Sequence, residues 1–317
     1  MGSSEGLAPA LPVLYFSSEN LKPGSTSWRK TRDDVREALE EYGCFEASYD
    51  KIPSDLRNAF FGSMEEIFEL PLETKMRNVS DIPYHGYIGN HPSVRLYESL
   101  GIDDVAVTEK VEAFANLMWP EGNPDFSKQT HSLVEQLSTL DMTVRKMIAE
   151  SFGLQKYVDE HINSTGYLLR IMKYNSPNTT DTEVGVNSHT DKNSLTILHQ
   201  NQVEGLEVQT KDGSWIKFQP STPNSFIVII ADCLSAWLNG RLHSTYHRVM
   251  MSGNEARYSL GLFSFPKADY LIKVPEELVD EQHPLLFKPF YHKELLSFFY
   301  TEVGQAAPSA LHAFCGV

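Results

Sequence analysis

The sequence predicts a mixed α/β protein with a mainly β core, a sandwich or jelly roll carried between flanking helices. Three observations point there. Apolar residues recur at helical spacing in several stretches up to Gly153. After Gly166 short β-prone runs follow one another with turn signals between them. A helical pattern then returns around Leu295–Tyr300. The expected organisation is a mainly helical region over residues 11–160, a jelly-roll core over 161–270 and a helical tail over 271–317, packed as one compact unit.

Residues 1–10 read as a flexible tail, and Leu11–Phe16 as a short first strand. From Trp28, the residues Val35, Ala38, Leu39 and Tyr42 recur at three- and four-residue spacing, with Gly43 as a stop signal. Ser54 is expected to cap a second helix carrying Leu56, Phe60, Met64, Ile67 and Phe68. Tyr84–Asn90 is rich in glycine and aromatic residues, which favours a loop. Leu133, Leu137, Leu140, Val144, Met147 and Ile148 mark a long third helix ending near Gly153. The expected strands are Tyr167–Tyr174, Leu195–His199, Leu206–Gln209, Trp215–Phe218, Phe226–Ile230, His247–Met251 and Tyr258–Phe265. Lys211-Asp212-Gly213 suits a hairpin turn. There is no internal repeat, low-complexity segment or obvious linker.

Composition narrows the function. The formal net charge of −15 argues against nucleic acid or an anionic membrane surface as partner. Three scattered cysteines, Cys44, Cys233 and Cys315, form neither a disulfide framework nor a zinc-finger spacing, which suits a reducing, cytoplasmic setting. No basic region precedes an apolar run at the N-terminus, and no stretch reaches transmembrane length. Met1-Gly2-Ser3-Ser4 resembles a myristoylation start, but Gly6 breaks the motif. Three Asn-x-Ser/Thr triplets, at Asn78, Asn163 and Asn178, would matter only in a secreted chain. The expected partner is a small molecule, and the default state is a monomer.

The chemistry centres on Asn187-Ser188-His189-Thr190-Asp191. On an extended strand, a two-residue spacing points His189 and Asp191 to one face. Imidazole and carboxylate together suit Fe(II), Mn(II) or Zn(II). A third ligand is expected from a distant strand, and His247, 56 residues beyond Asp191, opens one. His199 and His243 compete: the first ends a strand without a further motif, the second lies in the loop before His247. Ten residues past His247, Arg257-Tyr258-Ser259 places a cation and a hydroxyl on one face, able to grip an organic acid. Tyr174 could add its hydroxyl. Two histidines, one carboxylate and this Arg/Ser pair describe a non-haem iron oxygenase with a keto-acid co-substrate. Three protein ligands leave three positions for co-substrate and dioxygen. A Gly or Ala at position 191 would admit a halide, so Asp191 favours oxygen transfer or desaturation.

These residues resemble the plant soluble 2-oxoglutarate- and Fe(II)-dependent dioxygenases, and the likeness covers nearly the whole chain. Val35–Phe45, Phe68–Lys75 and Gly86–Gly89 are similar to the family's N-terminal region. His189-Thr190-Asp191, Asn239-Gly240-Arg241, His247-Arg248-Val249 and Arg257-Tyr258-Ser259 are similar to its core motifs. Asn116–Pro124, Leu206–Ser214 and the ending Phe314-Cys315-Gly316-Val317 look most like the short clade of glucosinolate side-chain (AOP-type) dioxygenases. One departure stands out: Met172 replaces the asparagine that accompanies the co-substrate tyrosine in many members.

The resemblance implies a distorted double-stranded β-helix, with His189, Asp191 and His247 on Fe(II) and Arg257, Ser259 and Tyr174 on 2-oxoglutarate. It implies consumption of O2, with ascorbate as reductant, and release of succinate and CO2 as a small plant metabolite or hormone is hydroxylated or desaturated. It also implies that Arg170, Phe114, Phe263 and Phe265 line the substrate pocket, with Tyr84–Tyr97 and the tail beyond Pro284 as lids. Arg170 would favour an acidic or polar substrate unless an Asp or Glu pairs with it. Two other readings use the same residues: a jelly-roll binding or sensing protein without turnover, and an ascorbate-dependent oxidase that needs no keto acid.

Overall fold

The computed structural model describes residues 10–16, 21–89 and 92–317. Residues 1–9 of the expected tail, and Asn90 and His91 of the expected Tyr84–Tyr97 loop, lie outside them. Strand β1 (Val13–Tyr15) leads to helix α1 (Thr26–Tyr42), which buries Trp28, Val35, Ala38 and Leu39 on one stripe. Ser25 caps α1 by accepting the Trp28 amide, and Gly43 ends it at φ 65°, a left-handed turn that a side chain would strain. Strand β2 (Cys44–Ser48) and helix α2 (Ser54–Glu69) follow. Ser54 is the first helical residue rather than the cap. Pro53 takes the cap position, where its fixed φ sets the entry without a side-chain bond.

After the short α3 (Leu72–Lys75), strand β3 (Tyr97–Ile102) and helix α4 (Thr108–Met118) precede the long helix α5 (Pro124–Ser151). Asn123 caps α5 on the Phe126 amide. Helix α6 (Val158–Asn163) then enters the β core. Its strands are β4 (Thr165–Tyr174), β5 (Thr179–His189), β6 (Leu195–Gln200), β7 (Leu206–Gln209), β8 (Trp215–Lys217) and β9 (Ser225–Ile230). Helix α7 (Asp232–Trp237), strands β10 (His247–Gly253), β11 (Arg257–Pro266), β12 (Leu271–Ile272) and β13 (Phe290–Tyr291), and helices α8 (His292–Phe299), α9 (Glu302–Ala306) and α10 (Ala310–Cys315) complete the chain. Every expected core strand is present. Strand β5 is additional, and its polar run Thr179-Thr180-Asp181-Thr182-Glu183 explains why apolar patterning does not reveal it.

Two sheets form the core: a seven-stranded one ordered β1-β2-β9-β6-β11-β4-β3 and a four-stranded one ordered β5-β10-β7-β8. Side-chain parity along the strands separates two layers. On β9, Phe226, Val228 and Ile230 join the helices α1, α4 and α5 in one apolar cluster. Ile227 and Ile229 face the other way and meet Leu206, Val208, Ile216, Val249 and Met251 of the smaller sheet. Strand β4 divides likewise, Leu169 and Ile171 on the helix side, Met172 and Tyr174 between the sheets. The helix side also contains a buried ion pair, Arg145 with Asp141, each side chain 1% exposed. Tyr167 of β4 donates to the same Asp141 carboxylate at 2.9 Å, tying α5 to the sheet. Among the described residues no helix is long and apolar enough to cross a membrane.

Candidate metal and co-substrate centre

Strand pairing brings the distant histidines together. His189, the last residue of β5, stands directly across from His247, the first of β10, and their ring centroids are 4.3 Å apart. Asp191 is not placed by strand pleating, because β5 ends at His189. The loop places it instead. The Asp232 amide donates to the Asp191 carbonyl at 2.9 Å, and Thr196 of β6 donates its hydroxyl to Asp191 Oδ2 at 2.6 Å. Lys192 locks the same turn, donating to the Thr190 carbonyl at 2.7 Å and pairing with Asp232 at 2.8 Å.

In each case a fixed partner orients the group and leaves one atom facing inward. His189 Nδ1 meets the Asn187 carbonyl at 2.8 Å, and His247 Nδ1 meets the Thr245 carbonyl at 3.1 Å. A carbonyl only accepts, so both Nδ1 atoms carry the proton and both Nε2 lone pairs are free. Those Nε2 atoms lie 3.6 and 3.8 Å from Asp191 Oδ1. The three ligand atoms are within 4.8 Å of one another. Burial in the cavity wall, then the charge of His247, pushes His189 down to about 4. Burial alone would raise the Asp191 carboxyl, but His247, His189 and the Thr196 hydroxyl outweigh it and hold it low. The donor set is two imidazole Nε2 atoms and one carboxylate oxygen. That donor set fits a divalent metal with an open face, Fe(II) among the candidates.

The competing histidines are elsewhere. His199, of opposite parity on β6, faces the helix layer, where Nδ1 meets the Ser225 carbonyl and the ring stacks on Phe226 at 4.5 Å. His243 sits in the loop before β10 beside Gly43 and does not line the cavity.

A cavity of about 470 Å³ opens over the three ligand atoms. Arg257, Ser259, Tyr174, Arg170, Phe263 and Phe265 all line it. Arg257 is 1% exposed, yet its partners are neutral: Ser259 Oγ at 3.2 Å, Gln200 Oε1 at 2.7 Å and the face of Tyr174, whose centroid is 4.9 Å away. Nε has no partner, and among the described residues no carboxylate pairs with this guanidinium. Burial lowers its pKa for want of compensation. A buried cation without a counter-ion is costly unless an anion arrives. The Tyr174 hydroxyl, raised by burial, donates to the Met172 sulfur at 3.8 Å.

The structure separates two residues expected in the substrate pocket. Phe114 lies on α4, buried in the helix layer with its ring 5.7 Å from Phe126, and does not reach the cavity. The face of α4 that carries it packs on α5, on the far side of the large sheet. Arg170 does line the cavity, but among the described residues no Asp or Glu forms an ion pair with its guanidinium. It donates to the carbonyls of Tyr84 and Gly86 and to the Ser99 hydroxyl, and so anchors the loop above it. Tyr84 in turn stacks on Tyr300 at 4.8 Å, so this loop and the C-terminal tail meet at the cavity rim. Thr196, Lys192, Gln200 and Asp232 escaped the sequence reading. Counting by twos along β6 from Leu198 would have put Thr196 and Gln200 on the inner face.

A β-sandwich that converges two imidazoles and a carboxylate on one open point, beside a buried uncompensated cation, defines the class of mononuclear non-haem metal oxygenases. Residues 165–266 match the 2OG-Fe(II) oxygenase superfamily, and residues 11–106 match the non-haem dioxygenase in morphine synthesis N-terminal family. The chain is 56% identical over 310 residues to the probable 2-oxoglutarate-dependent dioxygenase AOP1.2 of Arabidopsis thaliana, covering 96% of this chain and 95% of that protein. The crystal structure of a dioxygenase for auxin oxidation in rice superposes with TM-score 0.81 at 28% identity, covering 96% of this chain and 99% of that one. The 2-oxoglutarate complex of the Arabidopsis thaliana dioxygenase for auxin oxidation 1 superposes with TM-score 0.76 at 28% identity, covering 86% and 99%. The chain belongs to the 2OG-Fe(II) oxygenase superfamily, with close relatives in the plant AOP-type clade. Its fold is the double-stranded β-helix of these enzymes, and its reaction is that of a 2-oxoglutarate-dependent dioxygenase using Fe(II).

Proposed function

We propose that His189, Asp191 and His247 hold the Fe(II), that Arg257, Ser259 and Tyr174 receive the far carboxylate of 2-oxoglutarate, and that a C–H bond of a small plant specialised metabolite or hormone is hydroxylated or desaturated. The single observation that carries this reading is Arg257, buried beside the metal triad with its charge unpaired among the described residues. When bound, the metal and keto acid supply the oxidising power, consuming O2 and yielding succinate and CO2, with ascorbate keeping the iron reduced.

The chain's own residues do the rest. The Asn187 and Thr245 carbonyls keep both imidazoles in the ligating tautomer, and Thr196 turns Asp191 so that Oδ1 faces both Nε2 atoms, where the three would hold the metal. Phe263 and Phe265, on the same face of β11 as Arg257, provide an apolar wall for the substrate body and keep water away. Arg170 contributes indirectly, by holding the Tyr84–Gly86 turn in the wall. Residues 161–270 serve as the catalytic core, 11–160 as its support and 271–317 as cover, in a cytoplasmic monomer. The structural relatives that oxidise auxin support a substrate of hormone size.

The test is succinate release by Fe(II)-loaded protein with 2-oxoglutarate and ascorbate, across a panel of plant acids, indoles, glucosinolates and steroidal alkaloids. Stimulation by one class that disappears in His189→Ala is the expected result. Turnover that proceeds without 2-oxoglutarate would favour the ascorbate-dependent oxidase. No turnover at all from iron-loaded protein would favour the binding protein.

A further inference from the structure

The group that fixes Arg257 is itself neutral. Gln200 ends β6 directly across from Ser259 of β11, while Tyr174 of β4 lies across from Arg257. Cross-strand partners share a face, so the four side chains form one patch between the sheets. Gln200 is 4% exposed and does not line the cavity; it stands behind the guanidinium. Its Oε1 accepts from Arg257 Nη2 at 2.7 Å, and its Nε2 donates to the Val203 carbonyl at 3.1 Å, which fixes the orientation of the amide. The arginine stem packs against Gly205, where a Cβ would come within 3.1 Å of Arg257 Cδ. The guanidinium is therefore held in position while its charge stays uncompensated.

We propose that Gln200 is a positioning residue for the co-substrate: its amide orients the Arg257 fork and, because it is neutral, leaves the full positive charge to the carboxylate of the keto acid. The inference rests on reading Arg257 as the co-substrate anchor. A glutamate here would keep the Arg257 contact, give up the donation to the Val203 carbonyl and supply the counter-charge, so the site would no longer need an anionic ligand. Neutrality at position 200 thus selects a dicarboxylate.

Two ligands that chelate alike and differ only at the far end report this directly: the dicarboxylic acid 2-oxoglutarate, and 2-oxopentanoate, in which a methyl group stands where the acid has its far carboxylate. Their dissociation constants would be measured by anaerobic calorimetry on Fe(II)-loaded wild type, Gln200→Glu, Gln200→Leu and Arg257→Met. Wild type should prefer the acid by at least about tenfold, as for a close, desolvated charge pair. Gln200→Glu should shrink that preference by at least about tenfold, while Gln200→Leu weakens both ligands and keeps the preference. A merely structural role predicts the reverse order, because Leu loses both hydrogen bonds and Glu keeps the one to Arg257. Unchanged preference in Gln200→Glu would overturn the proposal. So would a wild-type ratio near one, a measurement that needs no variant to fold. An Arg257→Met protein with the wild-type ratio would instead remove the anchor reading on which the proposal stands.

Discussion

Replacing Thr196 with valine removes one hydroxyl and almost no volume. Thr196 is fully buried, and its hydroxyl donates to Asp191 Oδ2 at 2.6 Å. Its other contacts are both to the Asn193 side chain: Nδ2 donates to it at 3.2 Å but also to the Leu195 carbonyl at 2.7 Å, and Oδ1, at 3.3 Å, is a far weaker acceptor for the one hydroxyl proton than Asp191. The consequence is therefore concentrated on the Asp191 carboxylate, which loses the bond that turns Oδ1 toward His189 Nε2 and His247 Nε2. A hydrogen bond to a charged group contributes about 1.5–3 kcal/mol, and at about 1.4 kcal/mol per tenfold that is about 10- to 150-fold in metal affinity. Losses on removing such outer partners of metal ligands, about 10- to 100-fold, agree. The assay is competition between the protein and a chromophoric chelator for Fe(II) or Co(II) under argon, with the melting temperature as a check on folding. A Thr196→Val protein that folds normally and binds metal within about twofold of wild type would show that Asp191 is oriented by something other than the Thr196 hydroxyl.

The remaining predictions concern the frame. Arg145→Met should cost about 3–5 kcal/mol in denaturant unfolding, because it leaves Asp141 buried without its cation; a cost under about 1 kcal/mol would show that Tyr167 alone suffices. His161, pushed down to about 3 by burial and then by the charge of Arg145, takes up a proton more readily unfolded than folded. Its contribution is complete above the unfolded value near 6.5 and is lost as pH falls toward 3, at up to about 1.4 kcal/mol per pH unit. His161→Phe should flatten the acid side of the stability curve, and an unchanged slope would count against this. Arg170→Leu removes the donors to the Tyr84 and Gly86 carbonyls, so amide exchange around residues 84–87 should accelerate while 2-oxoglutarate affinity stays put. A drop in 2-oxoglutarate affinity instead would place Arg170 with the co-substrate rather than with the loop.

Much was legible in the chain because parity is a local property. Leu195–His199 and Phe226–Ile230 read as strands from their apolar runs. The spacing of Arg257 and Ser259 put both on one face, where the structure has them, facing the cavity. Residue type was legible too: two histidines and an aspartate suit one kind of ion whatever brings them together. The same local logic failed where strand and loop exchange roles. Strand β5 is too polar to announce itself, and Asp191 lies past its end, held by Asp232 and Thr196 instead of by the pleat. Helical spacing along α4 could show that Phe114 is buried, but not against which layer.

The fold class, the chemistry of the donors and the order in which they arrive follow from residue identity and short-range spacing, and so could be read along the chain. Folding adds that His189 and His247 stand across from each other, that Arg170 is occupied by main-chain carbonyls, and that Arg257 is buried among neutral groups. Those facts depend on pairings between residues more than fifty positions apart and on which charges burial leaves without a partner, and no local pattern contains either.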